Sequence, residues 1–253
     1  IIEIPLMELH LIDVDKIKDR LSEVGIGVCT STACSEEADI TSDDESVREA
    51  GLNYLKNCVK ATANMGATFF TGVIYSAIGK KLNTMPDERY WERSAKALKE
   101  VAKLANKLGI TLGIEPVNRY ESFLINTCGQ ALKLIKMIDE PNVRVHLDSY
   151  HMNIEEESFY VATKNAASLL GHYHLSESHR GTPGTGTVDW NGIFKALGES
   201  NYSGMVGMES FMESSDAMRA ATCVWRQMAP STDQLLTNGL NYLKTLEKKY
   251  YKN

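Results

Sequence analysis

No apolar run in this sequence approaches the roughly 18 residues that a membrane-spanning helix requires, and no secretory leader pattern opens it. A membrane protein is therefore not expected. The five cysteines, Cys29, Cys34, Cys58, Cys128 and Cys223, are odd in number and form no Cys-x-x-Cys pair, which argues for reduced, buried thiols rather than a disulfide framework. That cysteine usage suggests a cytoplasmic protein. Only six prolines occur, and no Gly-, Ser- or Pro-rich stretch divides the chain, so residues 1–253 are expected to form a single domain. Basic residues are outnumbered, 27 Lys and Arg against 33 Asp and Glu, for a net charge of −6. A nucleic-acid partner is disfavoured, because phosphate-binding surfaces concentrate Lys and Arg. There is no nucleophile elbow, no Gly-rich dinucleotide fingerprint and no Walker lysine motif.

What the chain does have is alternation. Short β-branched runs, Ile26–Thr30, Thr68–Tyr75, Ile110–Glu115, Val143–Asp148, Leu170–Ser176 and Gly204–Glu209, read as strands, each followed by a helix-like stretch. The clearest helices are Asp44–Asn64, Asp87–Leu108 and Asp233–Lys249, where apolar residues recur at three- and four-residue intervals. Asp13 is placed to cap a helix running to Leu21, and Gly25, Gly66 and Gly109 stand where helices should stop. With Ile1–Ile4 as an opening strand there are seven βα units. The expected fold is an α/β barrel of the (β/α)8 TIM type with its first strand and helix missing, a fold that typically takes about 250 residues.

Four candidate ligands fall at the carboxyl ends of four consecutive strands: Glu115, Asp148, His174 and Glu209, spaced by 33, 26 and 35 residues, about one βα unit each. In a barrel those ends share one mouth. Three carboxylates and an imidazole make a mostly hard, oxygen-rich donor set suited to Mn²⁺ or Mg²⁺, with Co²⁺ tolerated. Against this stands the ordinary role of a strand-end acid as a helix cap. The segment Gly181–Gly186 is expected to be a flexible loop at the mouth. His146 and His172 are expected to pack, Tyr120 and Phe123 to lie under the mouth, and Trp91 and Trp225 to be core residues of helices.

The stretches GIEPVNRYE, LDSYHMNIEEE, GHYHLSESHRGTPGTG and VGMESF resemble the D-tagatose and D-psicose 3-epimerases, a family of ketose 3-epimerases in the xylose isomerase-like TIM barrel superfamily. The likeness runs from about Ile1 to the C-terminus. It implies one divalent cation, most simply Mn²⁺, on Glu115, Asp148, His174 and Glu209, with Glu115 and Glu209 also moving protons. It further implies that Glu121, His151 and Arg180 contact a small-molecule sugar, and that the protein is a homodimer or homotetramer. Ile78 departs from the pattern, since D-psicose-preferring members commonly carry an aromatic residue there. Other activities sharing the ligand pattern are hydroxypyruvate isomerase and inosose dehydratase. A nuclease of the endonuclease IV type would need more metals and histidines than this chain supplies.

Overall fold

A computed structural model describes residues 1–212 and 215–251. The chain forms two compact units, Ile1–His146 and Leu147–Asn253.

In the first unit, strand and helix alternate: β1 (Ile2–Pro5), α1 (Val14–Val24), β2 (Val28–Cys34), α2 (Glu45–Asn64), β3 (Phe69–Ala77), α3 (Glu88–Lys107), β4 (Thr111–Ile114), α4 (Cys128–Ile138) and the start of β5 (Val143–Asp148). Neighbouring strands are parallel, with Ile4 beside Thr30, Thr30 beside Phe70, Phe69 beside Thr111 and Leu112 beside Val143. All nine residues of β3 are buried, as expected of a parallel strand covered on both faces. Gly72 has φ +113, and a Cβ there would meet the Thr32 carbonyl oxygen at 2.1 Å, so only glycine lets β2 and β3 approach this closely. The helices follow their patterns. In α3, capped by Asp87 onto the Arg89 amide, Trp91, Ala95, Leu98, Val101, Ala102 and Ala105 form the buried stripe. Asp13 caps α1 onto the Lys16 amide, and Gly25 ends it with φ +66.

In the second unit two helices, α5 (Ser149–Glu155) and α6 (Phe159–Ala166), lead to β6 (Leu170–His174). There follow α7 (Trp190–Glu199), β7 (Met205–Gly207), α8 (Asp216–Thr222) and α9 (Thr232–Tyr250). Strands β6 and β7 are parallel, His172 beside Met205 and His174 beside Gly207. Helix α9 contributes Leu235, Leu243 and Leu246 to the core.

Three expectations require correction. Strand β2 begins at Val28 and runs four residues past Thr30, because threonine hydroxyls inside it find partners: Thr30 pairs with Thr62 at 2.6 Å and Thr32 with Tyr54. Trp225 lies outside any helix and is 74% exposed, and Tyr120 is 71% exposed, so neither is a packing residue of this chain. Trp91, by contrast, is buried in α3 as expected. Among the described residues no helix is long and apolar enough to cross a membrane.

Candidate active site

Glu115 follows β4 directly and is buried in the first unit. Its amide donates to the Gly72 carbonyl, and its Oε2 lies 3.7 Å from His146 Nδ1. That nitrogen is also 2.8 Å from Thr71 Oγ1, whose hydroxyl donates to the Gly113 carbonyl at 3.2 Å. A hydroxyl has one proton, so Thr71 accepts from His146, which places the imidazole proton on Nδ1. Glu121 accepts from Asn118 Nδ2 at 2.7 Å, and its carbonyl receives the Gly79 amide at 2.7 Å, tying the Ile78 segment to it. Behind that segment the buried Asp39 carboxylate gathers the Thr41 amide and hydroxyl, the Ala77 amide and Lys80 Nζ, the last at 2.6 Å.

The second unit gathers the other five residues singled out in the sequence. Asp148 ends β5 and caps α5: its Oδ1 accepts the Tyr150 amide at 2.7 Å. Its Oδ2 lies 2.8 Å from Arg180 Nη1, 3.8 Å from His174 Nδ1 and 3.9 Å from His151 Nε2. His174, the last residue of β6, puts the same Nδ1 3.7 Å from Glu209 Oε2. Arg180 also donates to Ser176 Oγ at 2.9 Å and to Glu209 Oε2, and its guanidinium covers the Tyr150 ring at 4.1 Å. One arginine thus bridges two strand-end carboxylates with an aromatic face behind it.

The electrostatics follow from this crowding. Burial alone would push the Asp148 carboxyl up, but Arg180, together with His174 and His151, holds it well below the usual carboxylate range. His151 is driven the other way, down to about 3, by burial, with the Arg180 guanidinium and His174 adding to it against the opposing pull of Asp148. Its imidazole is neutral at any physiological pH and offers one donor and one acceptor.

The donor set fits a divalent cation. Ligand atoms that sit about 2.0–2.6 Å from one ion stand between 3 and 4 Å from each other, and the His174 nitrogen lies 3.8 and 3.7 Å from the Asp148 and Glu209 oxygens. Two carboxylates and an imidazole are also the donors that Mn²⁺ and Mg²⁺ accept.

Sequence reasoning passed over Glu177 and Ser149. Ser149 Oγ donates to the carbonyl of Ser176 and accepts its amide, at 2.6 and 2.8 Å, stitching the end of β5 to the residues after β6. Glu177 is fully buried, and its carboxylate takes four N–H donors, among them the Gly184 amide. The segment expected to be a flexible loop is therefore anchored at its centre. The available signal was an acid two residues before His179-Arg180 and a run of glycines.

The chain belongs to the xylose isomerase-like TIM barrel family, whose model matches residues 3–243. It is 38% identical to a ketose 3-epimerase of Arthrobacter globiformis over 98% of its own length and 88% of that protein's. A solved L-ribulose 3-epimerase superposes with a TM-score of 0.92 at 32% identity, covering 98% of this chain and 85% of that one. A Methylomonas sp. D-allulose 3-epimerase in complex with D-allulose gives 0.92 at 34% identity, covering 96% and 85%. Within the barrel family the chain is thus a member of the ketose 3-epimerases, which makes it an isomerase acting on carbohydrates and its fold an α/β barrel.

Proposed function

We propose that the chain interconverts C3 epimers of a free ketose of the D-tagatose, D-psicose/D-fructose or L-ribulose type, using Glu115 and Glu209 as paired acid and base on opposite faces of the sugar. The observation that carries this reading is the cluster in which Arg180 joins Asp148 and Glu209 beside His174. Inverting C3 requires removal of a proton next to the C2 carbonyl and return of a proton to the other face. Two bases therefore serve better than one, and each positioned base contributes on the order of 10²- to 10⁴-fold. A divalent cation, Mn²⁺ in the first instance with Mg²⁺ or Co²⁺ as substitutes, held by Glu115, Asp148, His174 and Glu209, supplies Lewis-acid polarisation of the carbonyl.

The remaining roles belong to the protein's own side chains. One glutamate takes the C3 proton and the other returns it. Arg180, whose charge is fixed, faces the oxygens where negative charge develops in the enediolate. His151, held neutral, orients a sugar hydroxyl, and Glu121, kept in place by Asn118, accepts from another. The half-buried Ile78 leaves an aliphatic wall, so substrate preference is expected to differ from that of D-psicose-preferring relatives.

We further infer that residues 1–253 act as one catalytic domain, that the protein is a homodimer or homotetramer, and that it works in the cytoplasm. The last is supported by its free cysteines, four of which, Cys29, Cys34, Cys58 and Cys128, are buried. The test is direct: incubate the protein with Mn²⁺ and a panel of unphosphorylated ketoses, and resolve the C3 epimers chromatographically. Formation of a C4 epimer or an aldose, or a preference for sugar phosphates in kcat/KM, would overturn the assignment.

A further inference from the structure

Arg180 has an unusual backbone. Its φ is +61, a left-handed conformation that a non-glycine residue holds when its surroundings impose it. The Glu177 carbonyl receives the Arg180 amide at 2.8 Å, and Ser210 Oγ donates to the Arg180 carbonyl at 2.8 Å, so both backbone polar groups are held. Glu177 reaches further with its side chain. Oε1 accepts the amides of Ser178 and Val188 at 2.9 and 3.3 Å, and Oε2 accepts the Gly184 amide and Trp190 Nε1 at 2.8 and 3.0 Å.

Four N–H groups thus converge on one buried carboxylate. They come from both ends and the middle of the segment that carries Arg180. The segment wraps so closely that a Cβ at Gly186 would meet Glu177 Oε1 at 2.5 Å. A buried charge with no cationic partner among these contacts is costly unless hydrogen bonds replace its hydration, and here four do so. Losing the acceptor would strand two buried donors together, the Val188 amide and the Trp190 indole, and release the part-buried amides of Ser178 and Gly184.

We propose that Glu177 is the positioning residue of the active site, a buried anion on which residues 178–190 fold, and that this folding holds Arg180 in its left-handed conformation with the guanidinium across Asp148 and Glu209. It acts through Arg180 and does not touch substrate. The kinetic half of the argument rests on the epimerase reading; the structural half does not.

The experiment pairs Glu177→Gln with Arg180→Ala in a double-mutant cycle, read both as kcat/KM with D-psicose and Mn²⁺ and as amide exchange of peptides covering residues 178–190. Glutamine keeps the shape but turns an NH₂ toward two of the four donors. The single Glu177→Gln variant is expected to lose roughly 10- to 100-fold in kcat/KM, mainly in kcat, because an oriented guanidinium matters most where charge develops. In the Arg180→Ala background the same change should cost less than about twofold, since the group it positions is gone. Exchange of the Gly184 and Val188 amides should rise at least tenfold in Glu177→Gln, with β6 and α7 unchanged. Additive kinetic losses, or unaltered exchange, would overturn the proposal. Should Glu177→Gln fail to fold, Trp190→Phe removes one donor and leaves the charge, and must move both readouts in the same direction by a smaller amount. A wild-type protein inactive on every ketose would refute the epimerase reading, and the exchange result would still decide whether Glu177 organises the segment.

Discussion

Removing the Arg180 guanidinium should destabilise the metal-free protein far more than removing an ordinary surface arginine. The carboxylate it serves is the reason. The Asp148 side chain is 0% exposed, and after loss of Arg180 its Oδ2 keeps only the two histidines at 3.8 and 3.9 Å, beyond hydrogen-bond length. Glu209, 29% exposed, can recover water and contributes less. Breaking a buried pair by deleting one partner typically costs about 3–5 kcal/mol, because a buried charge is left uncompensated. For a chain of 253 residues a kilocalorie shifts Tm by roughly 2–4 °C, so Arg180→Met is expected to melt roughly 6–20 °C below wild type. The assay is thermal unfolding in chelator and again with excess Mn²⁺. Because a cation bound by the carboxylates neutralises the same charge, the gap should narrow by half or more when Mn²⁺ is present. A loss below about 1 kcal/mol in chelator, or a gap indifferent to Mn²⁺, would refute the reasoning that the guanidinium and a metal ion balance one set of carboxylates.

Three further outcomes are expected. Glu115→Gln and Glu209→Gln, saturated with Mn²⁺, should each lose at least about 10²-fold in epimerisation; in D₂O each should still exchange the C3 proton of the one epimer facing its surviving glutamate, and near wild-type interconversion by either variant would exclude the two-base scheme. Gly51→Ala should destabilise by about 1–3 kcal/mol in chemical unfolding, although alanine is favoured within a helix by about 1 kcal/mol, because its Cβ would lie 2.2 Å from the Ala38 carbonyl oxygen. Burial raises the Glu177 carboxyl, but the Ser178, Gly184 and Val188 amides and the Trp190 indole more than reverse this and lower it from its usual 4.5. The stability it adds over Glu177→Gln should therefore be fully present above pH 4.5 and decline as pH falls through the lower folded value, a gap that stays constant from pH 7 to pH 3 being the contrary result.

The strands and long helices were legible because their signals are local and periodic. For α2 the periodicity predicts Asp44–Asn64, and the helix spans Glu45–Asn64 with Asp44 as its cap; for β5 the predicted and observed strands coincide at Val143–Asp148. Strand β2 is longer than its apolar pattern predicts because its polar residues hide its length: Thr30 and Thr32 satisfy their hydroxyls against α2, and no alternation pattern announces a tertiary partner. Trp225 departs from expectation for the opposite reason, since an aromatic residue predicts burial only where an element exists to bury it. Within the site, the order of strand-end residues could be counted along the chain. The arginine bridge could not, because it depends on the left-handed turn at Arg180, and that turn depends on donors as distant in sequence as Trp190 reaching one buried acid.

Asp148 shows why the bland and the chemical interpretations of a strand-end acid are not alternatives. A carboxylate has two oxygens, and this side chain spends Oδ1 on the first turn of α5 while Oδ2 faces Arg180, His151 and His174. The cap fixes the rotamer, so the second oxygen is aimed before any ligand arrives, and the entropy of ordering it is met by folding rather than by binding. Aspartate suits this double duty better than glutamate, because its short side chain can accept from the amide two residues onward without leaving the strand end. His174 has no helix to cap and is aimed by β6 itself, whereas Glu209, two residues past β7 and more exposed, is aimed chiefly by Arg180. The three residues are thus positioned by successively weaker local devices. The arginine, and Glu177 behind it, matter most for the glutamate that has the least support from its own strand.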